Sequence, residues 1–167
     1  MNEFDLLAPG PSMSPALADS LRGRRVGVVG NCFELAPWAE FMAASDQSWW
    51  NAYPAAMNFA GRRFSGRQIS GVEQLPSSRT NWNSGVLALA VAAWMGATVV
   101  RLYGFDMHGS HFFGPYTNGL RNTPDARREI HKHQYAQWAR HNRHVTVINC
   151  TPGSALKCFP FDERAAA

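Results

Sequence analysis

The stretch that decides the fold is residues 83–107, which read NSGVLALAVAAWMGATVVRLYGFDM. Residues 84–95 are apolar on all sides, which is typical of a helix packed between a sheet and its neighbours. Gly96 marks the end of this helix, since glycine readily adopts the left-handed backbone found there. A buried strand follows at 98–103 and ends at Gly104-Phe105-Asp106. A buried helix that leads directly into a buried strand predicts a sheet of the α/β class.

The rest of the chain continues this alternation of strands and helices. Ser14 and Pro15 are typical first residues of a helix, and the segment 61–80 indicates only a weak strand plus loop. Predicted strands are 4–8, 26–30, 42–46 and 144–149, and predicted helical segments are 14–21, 37–41, 49–57 and 123–142. We therefore predict one α/β domain over 1–160, with a mostly parallel sheet, helices on both faces and a frayed tail at 161–167.

Composition narrows the class of protein. The chain has 167 residues, a net charge of +4 and scattered basic residues, which suits an anionic ligand and permits, without requiring, a nucleic-acid partner. Its three cysteines are too few for a disulfide framework. No signal peptide and no long apolar run is apparent, so we expect a cytoplasmic protein without a membrane span.

Small and polar residues follow four of the predicted strands. In a parallel sheet, ligands bind beyond the carboxyl ends of the strands, where small residues let backbone amides approach a phosphate. Asn or Asp at these positions can hold ribose hydroxyls or base edges. Each motif alone is also compatible with an ordinary turn or helix cap. The candidates are Gly10-Pro11-Ser12, Gly30-Asn31, Ser45-Asp46 and Gly104-Phe105-Asp106.

The start of the central helix is a further candidate site. Asn83-Ser84-Gly85 would present free amide groups and the positive end of the helix dipole to an anion or a base edge. The competing interpretation is a simple Asn or Ser cap.

Histidines supply the candidates for proton transfer. His111 lies in the loop after Asp106, so an oriented Asp–His pair is one interpretation. His108 and His111 lack a third metal ligand, so we predict no metal site there. We expect His131, like His133, His141 and His144, to be solvated. The six tryptophans are more typical of a core or of a cleft wall than of stacking platforms, and the adjacent pair 49–50 is the one candidate for stacking on a base or sugar.

Several segments together resemble one superfamily. They are LAPGPSMS, VGVVGNCF, NSGVLALAVAAWMGATVVRLYGFDM, SHFFG and VTVINCTPGSAL. The superfamily contains bacterial sialyltransferases and domains akin to archaeal 6-hydroxymethylpterin diphosphokinases. This chain most resembles its small phage-encoded members, in length and in the type of sequence. The resemblance covers roughly residues 4–160 and implies a Rossmann-like nucleotide-binding domain, in the host cytoplasm if the chain is phage-encoded.

The resemblance also implies roles for individual residues. In the sialyltransferases the matching loops surround a CMP-sugar, and the last loop, here with Thr151 and Ser154, would close over the phosphate. The implied nucleotide contacts are Gly10, Ser12, Asn31, Asn83, Ser84, Gly85, Gly104 and Asp106. Two positions depart from the family: Pro115 stands where its catalytic His falls, and Pro9 stands where it has an Asn that touches the nucleotide.

Three functions remain open at this point. The first is a glycosyltransferase that uses a CMP-type sugar without a cofactor, with His111 and Asp106 as acid/base groups and an unknown acceptor, for which DNA is one candidate. The second is a diphosphokinase-like transfer from ATP, with Mg²⁺ held by Asp46 and Asp106. The third is a binding module that has lost the chemistry. Exposed aromatics at 112, 113 and 116 either cover the ligand or form a homo-oligomer contact.

Overall fold

Every strand of the sheet runs parallel to its neighbours. The computed structural model describes residues 1–162, and within them seven strands form one sheet in the order β5-β4-β3-β2-β1-β6-β7. The strands are β1 (Glu3–Leu7), β2 (Val26–Val29), β3 (Phe41–Ala43), β4 (Arg62–Ser65), β5 (Glu73–Gln74), β6 (Val99–Tyr103) and β7 (Thr146–Asn149). The prediction of an α/β fold with a mostly parallel sheet is confirmed.

Helices cover both faces of this sheet. They are α1 (Pro15–Ser20), α2 (Gln47–Ala52), α3 (Ser84–Trp94) and α4 (Asp125–His141), with 3-10 helices at Gly30–Phe33 and Pro54–Asn58. The first two helices pack on one face with Leu7, Val26 and Val28, while α3 and α4 pack on the other with Phe4 and Leu6. Neighbouring residues of one strand thus enter different cores, as the alternation of side chains along a strand requires.

The order of the strands creates a switch point beside β1. The chain adds β2, β3, β4 and β5 on one side of β1, and α3 then carries it back to place β6 on the other side. The loops that follow β1 and β6 therefore depart in different directions. In open parallel sheets the crevice at this point, beyond the carboxyl ends of the strands, is the usual place of ligand binding.

The central helix behaves as its sequence predicts. From Gly85 to Ala92 each residue of α3 is buried, and Gly96, with φ of +90°, ends the helical segment in the left-handed region. The N-terminus of α1 is also as predicted, because the Ser14 side chain accepts a hydrogen bond from Leu17 N (3.1 Å). Among the described residues, no helix combines the length and the hydropathy that crossing a bilayer demands.

The third strand and the segment 61–80 differ from the prediction. Strand β3 begins at Phe41, inside the predicted helical turn 37–41, because Phe41 pairs with Gly27 and Arg62 in neighbouring strands. It ends at Ala43, so Asp46 lies at the N-cap position of α2 and not at the end of the strand. The segment 61–80 contains two strands, β4 and β5, where only one weak strand was expected.

The end of the described chain adds to the edge of the sheet. Asn149 N donates to Pro160 O (2.8 Å), and Asp162 N donates to Asn149 O (3.1 Å). Residues 161 and 162 of the predicted tail are thus placed against β7. The rest of that tail, 163–167, lies outside the described residues.

Candidate functional site

The loops after β1 and β6 lock together at the switch point. Gly10 N donates to Gly104 O (3.0 Å). Ser12 donates twice to Oδ2 of Asp106, from its hydroxyl (2.8 Å) and from its backbone N–H (3.3 Å). Asp106 is 3% exposed. Four of the predicted site residues therefore meet here, and the Asp106 carboxylate holds the first loop in place.

Both glycines of this interlock lie where another part of the chain comes too close to leave room for a side chain. A Cβ atom on Gly10 would lie 2.1 Å from Oδ2 of Asp106, and one on Gly104 would lie 2.1 Å from the carbonyl oxygen of Ala8. Gly104 also has φ of +75°, and Met107 has φ of +59°, which is an uncommon backbone for a residue with a side chain. Backbone strain of this kind concentrates at functional sites, where the surrounding structure maintains it.

Thr151 and Ser154 support the loop after β6 from the side of β7. Thr151 Oγ1 accepts from Phe105 N (3.0 Å), and Ser154 Oγ donates to Phe105 O (2.6 Å). Both side chains are buried. The resemblance implies that they close over a phosphate, whereas in the structure their hydroxyls bind the backbone of Phe105. Their role in this conformation is to fix the strand end that carries Asp106.

Asn31 is buried beneath an aromatic cover. Its Oδ1 accepts from Trp49 Nε1 (3.0 Å) and from the Tyr116 hydroxyl (3.1 Å), and its Nδ2 donates to Glu34 Oε1 (3.3 Å). Tyr116 belongs to the long loop 104–124, so this loop closes back onto the end of β2. Tyr116 therefore covers the sheet edge of its own chain, while Phe113 stays 39% exposed.

The tryptophan pair is part of the core. Trp49 and Trp50 are 7% and 4% exposed and contact each other edge to face at 5.3 Å. Trp50 Nε1 donates to Ala44 O (3.0 Å). Both rings lie against protein, so this pair follows the core interpretation and does not stack on a base or sugar in this conformation.

The N-terminus of α3 is capped from within the chain. Asn83 Oδ1 accepts from Gly85 N (3.0 Å) and Val86 N (3.2 Å). Gln134 of α4 accepts from both Asn83 N (2.9 Å) and Asn83 Nδ2 (3.0 Å). The amides of Gly85 and Val86 are therefore not free to bind an anion, contrary to the expectation.

Two serines join the same helix end to β3. Ser45 N donates to Ser84 Oγ (3.0 Å). Ser45 is 4% exposed, and its hydroxyl has no hydrogen-bond partner in the described part of the chain. It continues the alternation of Phe41 and Ala43, so it faces α3. A buried hydroxyl without a partner costs free energy, which makes this position a candidate contact for a ligand.

His111 and Asp106 do not form the expected pair. Nδ1 of His111 donates to Gly114 O (3.3 Å), and its ring stacks on Phe113 with centroids 4.7 Å apart. Asp106 is bonded to Ser12, and no hydrogen bond joins it to His111 within residues 1–162. Burial lowers the pKa of His111, which leaves the ring neutral at pH 7.

The prediction that His131 is solvated is wrong. The residue is half-buried, whereas His133, His141 and His144 are exposed as expected. Burial is the main cause that lowers the pKa of His131, followed by the positive charge of Arg127, while Asp46 raises it. The exposed Asp46 carboxylate and the start of α4 are therefore within electrostatic reach of each other.

The carboxylates required for Mg²⁺ are not arranged as a metal site. Asp106 is buried and bonded to Ser12, while Asp46 is exposed. Nowhere in the described chain do three His, Cys, Asp or Glu side chains gather as metal ligands. These residues do not fit the ion, and the geometry gives the ATP–Mg²⁺ alternative no support. Cys32, Cys150 and Cys158 are free thiols.

Two open cavities lie at the opposite, amino edge of the sheet. Their volumes are about 380 and 330 Å³. The first is lined by Glu40, Ala60, Gly61, Arg62, Arg63, Gly71 and Glu73, and the second by Met1, Asn2, Glu3, Asp5, Gly23, Arg24 and Arg25. Each acidic side chain that lines them forms an ion pair with an Arg residue. Neither cavity therefore presents an unpaired carboxylate.

The sheet order and the helices on both faces define a Rossmann-like α/β protein. No family model, curated protein or solved structure matches this chain. The likeness to the sialyltransferases and diphosphokinases thus rests on the quoted sequence segments.

The hydrogen bond from Tyr116 to Asn31 and the contributions of Gln134 and His131 were not predicted from the sequence. A signal for His131 exists, because this residue stands four positions before Tyr135 and seven before Trp138, the two buried residues of α4. Residues at that spacing share one face of a helix. Tyr116 and Gln134 carry no comparable signal, since their partners lie 85 and 51 residues away.

Proposed function

We propose that the protein binds a nucleotide-activated sugar of the CMP-sugar type at the carboxyl edge of its sheet and transfers the sugar to an acceptor hydroxyl. The observation that carries this proposal is the interlock of Gly10, Ser12, Gly104 and Asp106 at the switch point. Two glycines at this place bring backbone close to the crevice where a nucleotide would lie. The cytidine part of the proposal rests on the resemblance.

Polar groups around the crevice suit such a donor. Asp46 is exposed and makes no capping bond to α2, so its carboxylate is available to ribose hydroxyls. Ser45 offers a buried hydroxyl without a partner. Arg127 brings a positive charge from α4, which favours a phosphate. We place the activity in the cytoplasm, of the host if the chain is phage-encoded, where the three free thiols stay reduced.

A second candidate is a nucleotide-binding module without chemistry. The arrangement of His111 favours it, because its Nδ1 is bonded to Gly114 O and its ring is packed on Phe113. Asp106 is bonded to Ser12, and Pro115 stands where the resembling enzymes carry their base. Under this alternative the ligand binds at the same edge and no sugar is transferred.

A thermal-shift panel tests the proposal. CMP, CMP-sialic acid, UDP- and GDP-sugars and ATP are compared, each with and without Mg²⁺, because a ligand that binds the native state raises the Tm by mass action. We expect stabilisation by the cytidine ligands without metal. Asp46→Ala should weaken CMP binding by about 5- to 30-fold through the loss of one or two hydrogen bonds, while the exposed Asp19→Ala control on α1 keeps the affinity.

The panel separates the alternatives. Stabilisation by ATP only in the presence of Mg²⁺ would contradict the sugar-donor proposal and favour phosphoryl transfer. If no ligand of the panel raises the Tm, the result would contradict nucleotide binding altogether. Binding of CMP-sialic acid with no release of free sugar would favour the binding module.

A further inference from the structure

The inner face of α4 packs on the end of β6 and on the first turn of α3. Tyr135 is 3% exposed, and its ring contacts that of Phe105 edge to face at 6.1 Å. A Cβ atom on Gly85 would meet the Tyr135 hydroxyl at 1.8 Å, so Gly85 is what lets this side chain reach the start of α3. Tyr135 therefore fixes α4 against the first turn of α3 and the end of β6.

His131 is one turn of α4 closer to the carboxyl edge than Tyr135. Strand β6 runs towards that edge, the loop crosses it, and α4 runs back towards the start of β7. Positions 131, 135 and 138 share the inner face of the helix at spacings of four and three. Since Tyr135 lies level with Phe105 and Gly85, His131 lies beyond them, at the mouth of the crevice.

Both sides of His131 are anchored to loops of the site. On one side, Gln134 binds Asn83 and donates to Asn81 O (2.8 Å). On the other side, Arg128 donates to the carbonyl oxygen of Gly109 in the loop after β6 and pairs with Asp125 (2.7 Å). These contacts fix the rotation and the height of α4, and hence the position of the imidazole between them.

We propose that His131, and not His111, is the catalytic residue that takes the proton of the acceptor hydroxyl. The inference rests on the proposed function. In the reaction, the acceptor oxygen forms a bond to the anomeric carbon of the sugar, and the bond from that carbon to the phosphate oxygen breaks. The nucleotide leaves with that electron pair, and the acceptor proton passes to the neutral imidazole.

The charged groups around His131 suit this role. Burial lowers the pKa of its imidazole, Arg127 and Arg128 on α4 lower it further, and Asp46 from the loop before α2 raises it. A neutral ring at pH 7 is the form that accepts a proton, and Asp46 would stabilise the imidazolium that results. His111 is held by Gly114 and Phe113, whereas among the described contacts no hydrogen bond engages the His131 ring.

The first test uses the wild-type protein and needs no variant. Long-range ¹H–¹⁵N NMR follows the imidazoles from about pH 5 to 8.5 with and without saturating CMP. We expect CMP to raise the pKa of His131 by about half a unit or more, because a phosphate anion stabilises the charged ring. His133, exposed on the outer face of the same helix, is the control and should not respond. An equal response of both rings, or none from His131 while CMP binds, overturns the inference.

The second test measures turnover as release of CMP from CMP-sialic acid. His131→Asn and His131→Gln should lower kcat by about 100-fold or more and leave the thermal shift with CMP unchanged, while His133→Asn keeps the wild-type rate. Retention of the rate in the His131 variants overturns this inference alone. Binding of CMP without turnover by the wild-type protein overturns this inference together with the sugar-transfer part of the proposed function. Failure of CMP to bind the wild-type protein overturns the proposed function.

Discussion

Asp5 offers a test of the energetics of the central strand. Its carboxylate lies in β1, is 2% exposed, and is bonded to Arg24 through Nε–Oδ2 (2.7 Å) and Nη2–Oδ1 (3.0 Å). Burial outweighs the attraction of Arg24 and of Arg101 and raises the pKa of Asp5 from 3.8 to about 6. One pKa unit corresponds to about 1.4 kcal/mol, so ionising this group in the folded state costs about 3 kcal/mol more than in the unfolded chain.

The sign of the pH dependence follows from linkage. Since the folded-state pKa is raised, the stability that Asp5 contributes is fully present below about pH 4 and is lost as the pH rises through about 6. Asp5→Asn removes the titration but keeps the shape of the side chain. We therefore expect the free energy of unfolding of Asp5→Asn, relative to the wild type, to rise by about 2 to 3 kcal/mol between pH 4 and pH 8.

Urea denaturation at a series of pH values from about 4 to 8 measures this difference. Asp19→Asn is the matched control, because Asp19 is exposed and pairs with Arg22 on the surface of α1. The control should show no comparable trend. A difference that falls with pH would mean that Arg24 dominates and lowers the pKa of Asp5, and this result would refute the reasoning.

Three further substitutions probe the site. Gly10→Ala places a Cβ atom against Asp106 and should destabilise the fold by about 1 to 3 kcal/mol in urea denaturation; wild-type stability would contradict the described interlock. Tyr116→Phe removes one bond to Asn31 and should cost about 1 kcal/mol and speed amide exchange in 107–122; unchanged exchange would show that this bond does not hold the loop. Asn83→Ala should lower the free energy of unfolding by about 1 to 2 kcal/mol through loss of the α3 cap, and no loss would indicate that water replaces it.

The elements that the sequence predicted well are those with local signals. Helix α3 and strand β6 follow from one apolar run divided by Gly96. The boundaries of β3 do not, because residues 41–45 are small or apolar throughout, and only pairing with Gly27 and Arg62 selects Phe41 as the first residue. Strand β5 has two exposed residues and exists through its pairing with Phe64 and Ser65, so no apolar pattern could reveal it.

The candidate site shows the same division. Its position at the strand ends was predictable, since parallel strands carry their loops to one edge. The partners of the side chains were not, because the bond from Ser12 to Asp106 joins residues 94 positions apart. The prediction for His131 was wrong for a different reason. Most residues of α4 are polar, and this composition concealed the inner face of the helix, which the spacing of Tyr135 and Trp138 marks.

Amide NMR mapping of CMP tests the central claim most directly, because it locates the ligand on the sheet. Binding at the carboxyl edge should perturb the amides of Gly10, Ser45 and Gly104, and leave unchanged those of Gly23 and Gly61, which line the cavities at the amino edge. Perturbations confined to the amino edge, or none at saturating CMP, would contradict a nucleotide site at the switch point.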